Sequence, residues 1–157
     1  MKTLAKIKAG ELALALSWGY EELSDAVQWA DEQISIEENP NDKLFDLSLS
    51  KGSGEAAGVL RSLASDTDKW LVLSHFLSRF YALESMKPED ASKLAKHLYQ
   101  FISEEDPPKP FRTLANHWDD IDLAIGGSLG EPKDCVQLFL NDIRDVVTSN
   151  GGPDFNS

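Results

Sequence analysis

The chain has 157 residues, of which 41% are hydrophobic and 27% charged, with a formal charge of −12 and a pI near 4.5. That length and apolar content suffice to bury a core without a disulfide or metal staple, and they exclude a disordered chain. The charge repels nucleic acid and anionic lipid and steers basic partners inward, and no run approaches the roughly 20 apolar residues of a membrane span.

Helical periodicity recurs from the first residues onward. The spacing predicts a well-buried helix over about 2–17, apolar on more than one face, stopped at Trp18-Gly19 where glycine can take a left-handed cap. Leu23, Ala26, Val27, Ala30 and Ile34 then mark one face of a second helix. Lys43–Ser50 alternates like a strand, but nothing else in the chain reads as its partner, so a short helix is expected. Gly52–Gly58 matches neither spacing of a phosphate-binding glycine loop and reads as a hinge or helix start. The stretch 68–85 leaves almost no polar face, which predicts a central helix against which the others pack.

The second half follows the same pattern. Lys87-Pro88-Glu89-Asp90 opens a helix whose stripe is Ala91, Leu94, Ala95, Leu98 and Ile102. A stiff proline linker, Pro107-Pro108-Lys109-Pro110, precedes a stripe of Phe111, Leu114, Ala115, Trp118 and Ile125, stopped by Gly126-Gly127. Glu131-Pro132 opens the last helix, with Cys135 or Val136, then Phe139, Leu140, Ile143 and Val147 inward, and a mobile tail is expected over 151–157. The fold expected is all-α: one compact bundle of about seven or eight helices around the 68–85 helix, forming a single domain over 1–150.

Catalytic motifs are sparse. No serine sits in a nucleophile elbow, and Cys135 falls beside an apolar stripe, where a structural role is expected. A single cysteine cannot form an internal bridge, which fits a reducing cytoplasm, and Lys6, Lys8 and Glu11 interrupt what would be the apolar core of a secretory signal. His75, His97 and His117 stand on different expected helices, His75 bonded within the core and the other two solvated; none has the i, i+4 spacing of paired metal ligands. No metal site and no cofactor are therefore expected.

The carboxylates remain. Glu22/Asp25, Asp119/Asp122 and Asp142/Asp145 are spaced i, i+3, and two such pairs face to face would suit magnesium. This loosely resembles the all-helical nucleotide pyrophosphohydrolases, although their first E-x-x-E pair is missing. An alternative reading is thus a magnesium-dependent nucleotide or phosphoester hydrolase.

The same acids support a different reading. Residues 1–60 hold 5 basic against 11 acidic side chains and residues 111–157 hold 3 against 8, so acidity sits at both ends of the chain. Glu21, Glu22, Asp25, Asp31 and Glu32 flank Trp18, Tyr20 and Trp29, with Trp29 off the apolar stripe and expected to be partly exposed. Asp119, Asp120 and Asp122 surround Trp118, itself assigned to the core. Aromatic anchors ringed by acids suit an interface with a basic protein.

Leu16-Ser17-Trp18-Gly19-Tyr20, Val27-Gln28-Trp29-Ala30-Asp31 and Phe45-Asp46-Leu47-Ser48-Leu49 resemble the opening third of small acidic bacterial immunity proteins, the kind that neutralise toxins delivered by contact-dependent inhibition and related systems. The resemblance implies a cytoplasmic, non-catalytic protein that occludes one cognate toxin, often a basic nuclease. A regulatory adaptor for a helical partner would leave the same signature.

Overall fold

The computed structural model describes residues 1–104, 106–128 and 130–150, and every regular element among them is helical. The described residues form two compact units, one running from Met1 to Phe76 and the other starting at Leu77. The tail expected over 151–157 lies outside the described residues.

The first unit contains α1 (Thr3–Trp18), α2 (Leu23–Ile36), α3 (Asp42–Ser48), α4 (Ser53–Leu63) and most of α5 (Lys69–Leu77). Its core joins Leu12 and Leu16 of α1, Ala26, Trp29 and Ala30 of α2, Leu44 and Leu47 of α3, and Leu60 and Leu63 of α4. Each such leucine removed from water stabilises the unit by roughly 1.5–3 kcal/mol. α1 packs extensively on α4, and α2 lies on α3. Close approach to α1 depends on Gly10: a Cβ there would meet Val72 Cγ2 at 2.9 Å and Ala64 Cβ at 3.3 Å. At its end, α1 closes on Gly19 at φ 84°, with Tyr20 N–H returning to the Ala15 carbonyl at 2.7 Å. The 43–50 segment is helical as far as Ser48, as expected of a short helix, and Asn41 caps it by accepting from the Lys43 N–H at 2.9 Å.

The long apolar helix expected over 68–85 is shorter. It ends as α5 at Leu77, followed by a 3₁₀ turn over Ser78–Phe80. Beyond that turn the Arg144 guanidinium donates to the Tyr81 carbonyl at 3.1 Å and also to the Leu83 carbonyl, satisfying acceptors that carry no helical ladder there. Pro88 then holds Lys87 extended at ψ 137°, so a new helix has to start.

The second unit contains α6 (Pro88–Ile102), α7 (Lys109–Arg112), a 3₁₀ turn (Thr113–Asn116), α8 (His117–Ile125) and α9 (Pro132–Ser149). All five stripe residues of α6 are buried, and so are Val136, Phe139, Leu140, Ile143 and Val147 of α9. The stripe from Phe111 to Ile125 changes register instead of continuing. Across the 3₁₀ turn each residue advances about 120° rather than about 100°, so four residues rotate the following helix about 80° further. Trp118 is carried to half-burial and Ile125 to the surface, while Ile121 and Ala124 turn inward.

Candidate functional site

The acids of α2 divide by local role. Glu22 is the N-cap residue, and its N–H donates to Asp25 Oδ2 at 2.9 Å, which satisfies a backbone donor that the helix leaves open. Asp31 accepts from Ser48 Oγ at 2.5 Å, tying α2 to α3, and Glu32 accepts from Gln28 Nε2 at 3.3 Å. Glu22, Asp25, Asp31 and Glu32 are exposed and Glu21 is half-buried.

The tryptophan expected among them at the surface is not there. Trp29 is only 9% exposed and belongs to the core. Ala26, Trp29 and Ala30 are spaced i, i+3, i+4 and form the buried face of α2, which turns that face away from the Leu23–Val27–Ile34 line. Trp18 and Tyr20 both meet the Phe76 ring edge-on, at 5.1 and 5.5 Å between centroids.

Different apolar anchors take that place. Phe45 on α3 is 45% exposed and Leu49, four residues on at the C-cap, is 75% exposed, with Asp42 and Asp46 exposed on the same short helix. The Asp31–Ser48 bond brings the α2 carboxylates alongside. The strand-like alternation of 43–50 had obscured this face: at helical spacing, Leu44 and Leu47 turn inward while Phe45 and Leu49 turn outward.

In the second unit, Asp119, Asp120 and Asp122 are exposed on the first two turns of α8, and Ser92 Oγ donates to Asp122 Oδ1. Trp118 tilts against Tyr99 at 5.3 Å and lies 5.7 Å from Lys96 Nζ. His117, expected to be solvated, sits instead 2.5 Å from Asp142 Oδ2 and 5.4 Å from the Phe139 ring centroid. That carboxylate is thus already occupied by a histidine. Glu22 and Asp25 close the start of α2, and no group of three or more His, Cys, Asp or Glu side chains converges as a metal site among the described residues.

A further cluster gave little sign of itself in the sequence. Glu11, in the middle of α1, is 3% exposed; Lys8 Nζ lies 2.7 Å from its Oε2, and His75 Nδ1, also buried, lies 3.4 Å from the same oxygen. Beside it opens a cavity of about 400 Å³ lined by Lys2, Leu4, Ala5, Lys8, Trp29, Gln33, Ile36 and His75. The one available signal was charge: residues 1–10 carry three lysines and no acid in a strongly acidic chain.

No protein-family model, curated protein or solved structure matches this chain.

Proposed function

We propose that this chain is a non-catalytic binding protein that docks a basic protein partner, acting in the cytoplasm as an immunity protein of the toxin-neutralising kind its opening third resembles. The observation that carries the reading is the α3 face. Phe45 and Leu49 stand in solvent with Asp42, Asp46 and Asp31 around them. Burying two large apolar side chains on a partner supplies affinity, and the surrounding carboxylates accelerate encounter with a basic surface. The exposed carboxylate of Glu32, on α2 beside it, adds to that attraction.

Capture from the native source at low salt, followed by titration of the purified partner, tests this. The expected result is a 1:1 complex with a basic protein whose affinity falls as salt rises. Phe45→Ala with Leu49→Ala should weaken it at least tenfold, mainly through faster dissociation. Asp42→Asn with Asp46→Asn should slow association. A salt-independent complex, or one unaffected by the α3 substitutions, overturns this reading.

A further inference from the structure

The cavity between the start of α1 and the end of α2 is concave, and its size lies within the range that holds small organic ligands. Its walls divide by chemistry. Leu4, Ala5, Trp29 and Ile36 are apolar, whereas Lys2 and Lys8 supply ammonium groups and Gln33 an amide. Lys8 directs one of its three N–H donors at Glu11, and Lys2 makes no ion pair or side-chain hydrogen bond among the described residues. With Glu11 counted against the two lysines, the site keeps one net positive charge inside a chain of −12. A chain whose acidity serves solubility has no need of cations gathered around an apolar recess.

The adjoining groove sets the other limit. It shares Lys2, Ala5, Gln33 and Ile36 with the cavity and continues to Glu37 and Glu38. A ligand lying along both would meet ammonium groups at one end and carboxylates at the other. We propose that this recess binds a small monocarboxylate with an apolar body, its carboxylate between Lys2 and Lys8 and its body along Ala5, Trp29 and Ile36. The acids at the far end select against a second negative charge.

The test uses the full chain and three probes of equal carbon count: octanoate, neutral octanamide and octanedioate. Titration followed by ¹H–¹⁵N correlation spectra should move the Trp29 indole N–H and the Gln33 side-chain amide saturably with octanoate. The dissociation constant should be on the order of 0.1–1 mM, as suits a ligand of about ten non-hydrogen atoms. Octanamide and octanedioate should bind at least fivefold more weakly. Lys2→Glu alters an exposed residue, and Ile36→Glu places an acid at the mouth on a side chain already 73% exposed, so both variants should fold. Each should weaken octanoate at least tenfold. Equal binding of acid and amide, no saturable shift at 10 mM octanoate, or full affinity in both variants overturns the proposal. The α3 face is untouched in these variants, so the partner-binding reading stands or falls separately.

Discussion

Each unit of the molecule holds a histidine against a carboxylate, and the two pairs solve the same electrostatic problem differently. Glu11 and His75 in the first unit are both about 4% exposed at their side chains and lie 3.4 Å apart, with Lys8 at 2.7 Å on the same carboxylate oxygen. His117 and Asp142 in the second unit lie 2.5 Å apart, but their side chains are 12% and 32% exposed. A carboxylate at the surface is solvated by water and can be held by a histidine. One buried in a helix interior loses that solvation, and a group that is always charged at neutral pH has to replace it. The lysine of the first unit therefore acts on a buried carboxylate, although its own side chain is 40% exposed.

Removing that lysine should give the largest effect. Lys8→Met keeps the aliphatic stem but withdraws the charge facing Glu11, and should destabilise the protein by about 2–3 kcal/mol, less than a fully buried pair because Lys8 is half-exposed. Adding Glu11→Gln to the same variant removes the buried charge and should recover at least about 1 kcal/mol of the loss. Urea unfolding of wild type and both variants supplies the comparison. If the double variant is no more stable than Lys8→Met alone, neutralisation of Glu11 is not what the lysine does.

The second pair should respond less. Asp142→Asn keeps an oxygen within reach of His117 Nε2 but removes the charge, and water already reaches the carboxylate. A loss of about 0.5–1 kcal/mol is expected from the weakened hydrogen bond. A loss as large as that of Lys8→Met would mean that exposure does not separate the two pairs, and the contrast between the units would collapse.

The two sites also differ in how far the sequence revealed them. Periodicity located α6 and α9 almost to the residue, because a stripe at helical spacing depends only on local order. Glycine and proline likewise marked the helix ends at Gly19 and Pro88. What periodicity could not show was where it breaks: the apolar helix stops at Leu77 in a 3₁₀ turn, after which Arg144, 63 and 61 residues later, holds the Tyr81 and Leu83 carbonyls, and a second 3₁₀ turn shifts Trp118 out of the stripe. Asp25, Asp31 and Glu32 of α2 and Asp119, Asp120 and Asp122 of α8 are exposed, but the aromatic anchor expected beside the α2 acids is not, because Trp29 shares the buried helical face of Ala26 and Ala30. Glu11 and His75 are 64 positions apart in sequence, and no local pattern links them.

His97 makes the third histidine and should give the smallest effect, with a sign set by burial and a neighbouring cation instead of a carboxylate. Burial holds its pKa below the ordinary 6.5, and the neighbouring Lys96 ammonium lowers it further. Above pH 6.5 the ring is neutral in both the folded and unfolded chain and contributes nothing to the pH dependence. As the pH falls below 6.5 the unfolded chain takes up the proton first, so stability is lost. The loss stops growing once the pH has passed the lowered folded value and both states are protonated. His97→Gln removes this contribution while leaving His75 and His117 in place. The variant's melting temperature relative to wild type should therefore rise between pH 7.5 and pH 5.5. A relative fall over that interval would mean that the folded protein favours the protonated ring, as expected of a histidine held by a carboxylate and not of one beside a lysine.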